Sequence, residues 1–325
     1  MAQGNVRPLR DEETLAEVLG LLVTNVERVV TGKRRIVELA VVALASGGHL
    51  LLEDVPGVGK TVLARALARS VEATFSRVQG APDLLPSDVT GTTVFDQSRG
   101  GFTFVAGPLF ANVVLVDELN RTTPRTQAAL LESMEEGQVT VDGVSHQLPR
   151  PHFVVATQNP LEHHGTFPLP ESQLDRFALA TSVGYPTTAD EARIVRAQVR
   201  RHPLEDLQPV VSTADIARIQ ERVREVQVSH ALVSYAVRLV DASRDHPEVQ
   251  LGASPRASIQ LVHAAQALAA LRGRSFALPD DVKALAPAAL PHRLLLRGAE
   301  DDLHARIALV SQLLRSVPVD EELVP

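Results

Sequence analysis

The stretch His49 to Thr61, HLLLEDVPGVGKT, restricts the possible folds more than any other part of the chain. An apolar run, Leu50 to Leu52, leads into a turn carrying Pro56, Gly57, Val58 and Gly59. Lys60-Thr61 then opens a helical pattern whose inward side is Val62, Leu63, Ala66 and Leu67. Strand, glycine turn and helix in that order make a cradle of backbone N–H groups at the positive end of a helix, which is a place for an anion. Gly57 and Gly59 let the backbone approach without Cβ interference. In such a cradle Lys60 would sit on the β- and γ-phosphates of a nucleotide, with the Thr61 hydroxyl on Mg²⁺. The strict spacing G-x-x-x-x-G-K-[ST] asks for glycine at position 54, where this chain has Asp54, so it is met except at its first residue. An ordinary Gly-rich strand-to-helix turn is the bland alternative. The order of strand, PGVGKT and amphipathic helix favours the nucleotide.

Around this stretch the pattern alternates between strand and helix as far as residue 186. Leu15, Val18, Leu19, Leu22, Val26 and Val29 recur at helical spacing after Asp11-Glu12-Glu13, and a second helix is expected over 33–45. Phe75–Gln79, Ala111–Val116 and Phe153–Thr157 read as buried strands of a parallel sheet. Two β-rich runs, Thr92–Phe95 and Gly101–Val105, predict an inserted hairpin, and Gln138–Val141 with Ser145–Leu148 a second one around Asp142-Gly143. A helix is expected over 123–136, with Ala128, Leu131 and Met134 inward and Arg125 and Gln127 outward. After Gly184-Tyr185-Pro186 the texture becomes helical. This predicts two domains, an α/β nucleotide-binding core over 1–186 and an α-helical lid over 187–325, with Ser212 and Asp215 as a capping box.

Composition narrows the class. The chain has 325 residues, 45% of them hydrophobic, which supplies a sizeable core. A net charge of −7 argues against nucleic-acid binding driven by bulk electrostatics. The absence of cysteine rules out disulfides, thiolate metal sites and a thiol nucleophile, and suits a reducing cytoplasm. MAQGNVRPLRDEE has no apolar segment of the signal-peptide kind, and the apolar stretch 39–45 is too short to span a bilayer, so no membrane insertion is expected.

Hydrolysis of a nucleoside triphosphate needs a held triphosphate, a metal, an oriented water, and positive charge where the transition state gathers negative charge. VVLVDEL places Asp117 and Glu118 at the end of a buried strand, where Asp117 can hold Mg²⁺ and Glu118 can polarise the attacking water. Asp-Glu after a strand can also cap the next helix, but downstream of the cradle the catalytic reading is preferred. Asn159 can bond that water or the γ-phosphate, or simply form the turn before Pro160. His163-His164 has no third ligand at metal spacing and reads as surface. Arg121 and Arg125 either face a neighbouring subunit or are solvated, and Pro291-His292-Arg293 has no explanation in sequence terms.

The segments GGHLLLEDVPGVGKT, PDLLPSDVTGT, FVAGPLF, LVDELNR, QAALLESMEEGQVTVDG and ATQNPLEHHGTFPLPESQLDRF, and more weakly ASPRASIQL, resemble the MoxR branch of the AAA+ ATPases. The likeness runs from about Val29 to Phe177, and that family tolerates an acidic residue where Asp54 sits. It implies a P-loop AAA+ core with a parallel sheet and inserted hairpins, an all-α lid, and ATP and Mg²⁺ as cofactors. By the same resemblance, Lys60 and Thr61 match the Walker A pair and Asp117 and Glu118 the Walker B pair. Asn159 matches sensor 1, Arg176 an arginine finger acting on the neighbouring subunit, and Arg256 the sensor 2 arginine. Val30 and Gly32 lie where relatives contact the base. The resemblance further implies a homo-hexameric ring and chaperone-like maturation or activation of a partner, often one with a von Willebrand factor type A domain, sometimes with metal or cofactor insertion. Two other readings are a DNA-processing motor, since helicases of related build share the hairpins, and a non-catalytic ATP-binding switch, against which an intact Glu118 argues.

Overall fold

The computed structural model describes residues 13–98, 100–159, 165–298 and 303–319. Its first half runs α1 (Leu15–Glu27), α2 (Arg34–Ala45), β1 (Leu50–Glu53), α3 (Lys60–Ser70), β2 (Phe75–Gln79) and α4 (Pro86–Thr90). A hairpin of β3 (Gly91–Asp96) and β4 (Gly101–Ala106) follows, then β5 (Val113–Asp117) and α5 (Pro124–Glu136). A second hairpin, β6 (Gln138–Val141) and β7 (Val144–Gln147), precedes β8 (Phe153–Gln158), α6 (Glu171–Leu174) and β9 (Leu179–Thr181). The second half holds α7 (Thr188–Gln198), α8 (Pro203–Asp206), α9 (Thr213–Arg224), α10 (His230–Ala242), β10 (Val249–Leu251), α11 (Pro255–Leu271), α12 (Pro279–Ala289), β11 (Leu295–Leu296) and α13 (Leu303–Ser316).

Strands β2, β5, β8, β1 and β9, in that order, form one parallel sheet. Helices cover both faces, so its inner strands are apolar runs rather than alternating ones. Leu50, Leu51 and Leu52 have no exposed surface, and Leu51 belongs to one apolar cluster while Leu50 and Leu52 belong to the other. Shortening any of them to alanine would cost about 2–5 kcal/mol. The larger cluster continues from the sheet through α1 and α2 into α9, α10, α11 and α12, so the two halves share one apolar core. Among its described residues the lid is helical apart from the antiparallel β10–β11 ladder and a single parallel bridge between Gln227 and Phe276.

Local signals explain most boundaries. The first helix begins on a capping box between Thr14 and Glu17: the Glu17 N–H donates to the Thr14 hydroxyl (3.2 Å) and the Thr14 N–H to the Glu17 carboxylate (2.9 Å), while Asp11 and Glu12 of the acidic run lie outside the described residues. Ser212 and Asp215 cap α9 as expected. Asp142 and Gly143, both at positive φ, form the two-residue turn of the second hairpin, and the ladder starts at Val144, one residue earlier than the expected Ser145.

Helix α5 departs from the expected orientation. Gln127, expected outward, is fully buried and Ala128 is exposed. The Gln127 amide donates to the carbonyls of Thr122 (3.1 Å) and Phe167 (3.0 Å), so a polar residue faces inward because it satisfies two loop carbonyls. The far end of α5 is fixed by His49, whose Nδ1 accepts the Val154 N–H (3.0 Å) while Nε2 donates to the Met134 carbonyl (3.0 Å). His49 opens β1, so α5 runs from the carboxyl edge of the sheet, where β5 ends, to the amino edge, where β1 starts. At 1.5 Å per residue that is a span of about 20 Å.

Candidate nucleotide site

The carboxyl ends of β1, β8 and β5 lie side by side, and between them and the start of α3 is a cavity of about 330 Å³. Pro56, Gly57, Gly59, Lys60, Thr61 and Val62 line one wall; Asp117, Glu118 and Asn159 line the other. Gly57 and Gly59 have φ of 88° and 97°, and a Cβ on either would meet no protein atom within 4 Å, so both face open space. No side chain caps the first turn of α3, whose free N–H groups are left for a ligand. Lys60 Nζ donates to the carbonyls of Asp54 (2.6 Å) and Val55 (3.3 Å), folded back over the cradle. Partial burial pulls its ammonium below the ordinary lysine value, against Asp54, Asp117 and Glu118, which hold it up.

The Thr61 hydroxyl stands 3.5 Å from the Asp117 carboxylate, and hard oxygen donors so placed suit Mg²⁺. An open glycine cradle with a lysine and this oxygen pair therefore fits ATP and Mg²⁺. Bound there, they would supply the phosphoryl group to be cleaved and a cation to neutralise it. The chain's own part is to hold the phosphates through backbone N–H groups and Lys60, to set Asp117 and Thr61 for the metal, and to take a proton at Glu118.

Asp54 has a different place from the rest of the loop. Its Oδ2 accepts from the Ser182 hydroxyl (2.9 Å) and the Gly184 N–H (2.6 Å), and Oδ1 from the Val55 N–H (2.9 Å). The carboxylate therefore points away from the cradle and latches the loop to the end of β9, a bond that glycine at this position cannot make. Gly32 sits by the start of α7, where a Cβ on it would meet the Asp190 carboxylate at 2.4 Å, and Val30, two residues before it, is buried. Neither lines the cavity at the phosphate cradle itself.

Four residues complete the site that sequence reasoning did not assign. Arg77 Nε donates to Asp117 Oδ2 (2.8 Å), and the Thr157 hydroxyl to Asp117 Oδ1 (3.2 Å). Gln79 Nε2 and Arg121 Nη1 both donate to Glu118 Oε2, at 3.0 and 3.1 Å. Arg77 and Gln79 are alternate residues of β2, hence on one face, and β2 pairs with β5 in register with Asp117. Arg121, which sequence left open, thus holds Glu118; Arg125 is exposed. Glu118 itself is at φ 54°, ψ 50°, an uncommon place for a non-glycine residue, with its N–H on the Thr157 hydroxyl (2.9 Å).

Gly80 makes this conformation possible. A Cβ there would lie 2.1 Å from the Glu118 carbonyl oxygen and 2.8 Å from that of Asp117, both backbone atoms that cannot swing aside. Gly80→Ala is expected to lower turnover by about tenfold to a hundredfold through displacement of Glu118. Binding of a fluorescent ATP analogue should stay within about threefold, since Gly57 to Thr61 is untouched. Steady-state ATPase rates beside a binding titration check this.

Arg176 and Arg256 are elsewhere. Both pair with Glu135 near the end of α5, Arg176 Nη2 at 3.3 Å, and Arg176 Nη1 also donates to the Leu131 carbonyl. That places them by the amino edge of the sheet, at the opposite end of α5 from the end of β5. His163-His164 lies outside the described residues. Among those described, no group of three metal-ligating residues occurs and no helix is long and apolar enough to cross a membrane.

A phosphate cradle after β1, an Asp-Glu pair on β5 and a polar residue ending the strand between them define a P-loop nucleoside triphosphatase. Residues 49–179 match the ATPase family associated with various cellular activities (AAA), and residues 241–312 the AAA lid domain. A Bacillus subtilis protein, YeaC, is 50% identical over 95% of this chain and 97% of its own length. The Mycobacterium tuberculosis chaperone MoxR1 is 41% identical, covering 91% of this chain and 81% of its own. A crystal structure of a Cytophaga hutchinsonii protein superposes with a TM-score of 0.85 at 34% identity, covering 94% of this chain and 96% of that one. The chain belongs to the MoxR family of AAA+ ATPases and is an ATP hydrolase.

Proposed function

We propose that this chain hydrolyses Mg-ATP at the interfaces of a homo-hexameric ring, each cavity being completed by Arg176 and Arg256 of the next subunit. In this reading residues 1–186 are the nucleotide-binding core and 187–325 the lid. Lys60 and the cradle N–H groups hold the phosphates, Thr61 and Asp117 the metal, and Val30 and Gly32 the base. Glu118 takes a proton from the attacking water, which Asn159 orients. The observation that carries it is the meeting of Arg176 and Arg256 at Glu135, at the opposite end of α5 from the end of β5. Both are held at Glu135 and neither lines the Lys60 cavity of its own chain, and together they form a cationic edge suited to a neighbour's phosphates.

The work done is the maturation or activation of a client protein, in keeping with a relative named a chaperone. A client with a von Willebrand factor type A domain, in the cytoplasm, is the form this takes by family resemblance; metal or cofactor insertion is a variant of it. A DNA-processing motor draws support from Phe95 and Phe102, exposed and edge to face at 5.4 Å beside the tip of the β3–β4 hairpin. Against it, the sequence of both hairpins offers a single Arg, Arg99 at the tip of the first, and no Lys for phosphates. Turnover raised by single-stranded DNA would favour the motor.

The test is specific ATPase activity against protein concentration in Mg²⁺ buffer, with mass by sedimentation at each point. Activity should rise by about tenfold or more as rings form, since a finger in trans is worth about a thousandfold or more in rate. A rate per subunit that is flat while the mass changes would reject shared sites.

A further inference from the structure

Pro291-His292-Arg293, the lid segment without an explanation in sequence terms, grips the stretch that carries Arg176. Arg293 is nearly fully buried, with 1% of its side chain exposed. Its Nε donates to Asp175 Oδ1 (2.9 Å), and Nη2 to the carbonyls of Phe177 (2.6 Å) and Asp175 (3.4 Å) as well as to the Gln260 side chain. Nη1 reaches the Ala289 carbonyl at the end of α12 and that of Ala178 (3.5 Å). The other oxygen of Asp175 accepts the Ser254 hydroxyl (2.7 Å), and that hydroxyl also accepts the Arg256 N–H (3.1 Å). Gln260 Nε2 donates to the Arg176 carbonyl (3.5 Å) and His292 Nε2 to that of Phe177 (3.0 Å). The backbone around Arg176 is thus bonded to three lid side chains, Arg293, Gln260 and His292, and the Asp175 carboxylate to a fourth, Ser254, while the Arg176 guanidinium projects to Glu135.

Burying a guanidinium is costly, and an apolar side chain of like volume could fill the same space without that cost. An apolar filler would not hold four carbonyls and a carboxylate, which the rigid fork of arginine does. Burial pushes the Arg293 guanidinium down to about 10 and the neighbouring Asp175 opposes that, so the guanidinium keeps its charge at neutral pH.

We infer that Arg293, through Asp175, is a positioning residue for Arg176: it locks the Asp175–Phe177 backbone to the lid, so that the lid sets where Arg176 reaches on the neighbouring subunit. This rests on the proposal that Arg176 acts in trans. It predicts that damage at Arg293 appears in the neighbour's site and not in the subunit's own.

The experiment mixes subunits. Arg293→Gln alone should turn over ATP about a hundredfold more slowly than wild type, as expected for a misplaced catalytic group, with ATP-analogue affinity unchanged. Mixed with Glu118→Gln, whose own site is dead but whose Arg176 is intact, it should regain activity well above the sum of the two. Mixed with Arg176→Ala it should regain none. Asp175→Asn, which keeps size and an acceptor for Arg293, should show the same pattern more mildly and carries the test if Arg293→Gln does not fold. The control is Arg176→Ala mixed with Glu118→Gln. If the control recovers and the Arg293 and Asp175 variants do not, the positioning role is wrong; so it is if both variants keep wild-type turnover. Failure of the control itself rejects the trans finger, and the positioning role with it.

Discussion

Glu118→Gln is expected to lower ATP turnover by about a thousandfold while ATP affinity stays near that of wild type. The substitution is close to isosteric, and the surroundings of Glu118 suit it to either side chain. Gln79 Nε2 and Arg121 Nη1 both donate to one carboxylate oxygen, which a glutamine carbonyl oxygen can replace. The strained backbone stays held by Thr157 and by the close approach of Gly80. Phosphate and metal ligands, Lys60, Thr61 and Asp117, are not altered. What is lost is a proton acceptor beside the phosphate cradle, worth about 4 kcal/mol in the transition state for a thousandfold effect. If Glu118 served only to open the turn after β5, the loss would be under about tenfold, since that role needs no charge. Steady-state rates and an equilibrium titration with a fluorescent ATP analogue separate the two.

The parts legible in the sequence are those that local chemistry dictates. The cradle needs consecutive residues, so PGVGKT could be read directly. The β1 and β8 strands announce themselves as apolar runs because both faces of the sheet are covered. The capping box of α9 and the Asp142-Gly143 turn are equally local. What escaped notice depends on which distant residues meet. Arg77 and Gln79 look like ordinary polar residues of a half-exposed strand until β2 is placed beside β5. Asp54 reads as a defect of a glycine pattern until Ser182 and Gly184 are found against it. Gln127 shows how a periodicity can mislead: its helix turns a polar residue inward because two loop carbonyls there need donors. Arg293 looks like a surface residue by type, and only the fold brings it onto the chain around Arg176.

Arg176→Ala is the substitution with the largest expected effect outside the cavity itself. If Arg176 neutralises charge on the neighbour's phosphates, its loss should lower turnover by about a thousandfold or more, equivalent to about 4 kcal/mol. If it only ties α6 to α5, what disappears is a partly exposed pair with Glu135 and a bond to the Leu131 carbonyl. Such a pair contributes less than about 1 kcal/mol to stability and nothing to the rate. The two accounts differ further in where the damage falls. Since α5 separates Glu135 from the end of β5, an Arg176→Ala subunit keeps its own Lys60, Asp117 and Glu118 intact. It should therefore work again when a subunit with a normal Arg176 sits beside it, even one disabled by Glu118→Gln. Each variant alone should be nearly inactive, and an equal mixture should recover a clear fraction of wild-type turnover, because some interfaces join a sound Glu118 to a sound Arg176. ATPase rates across mixing ratios, at a concentration where sedimentation shows assemblies, read this directly. A mixture no more active than its components would mean that Arg176 serves its own subunit, and the edge it forms with Arg256 would then be a brace on α5 and not part of a shared site.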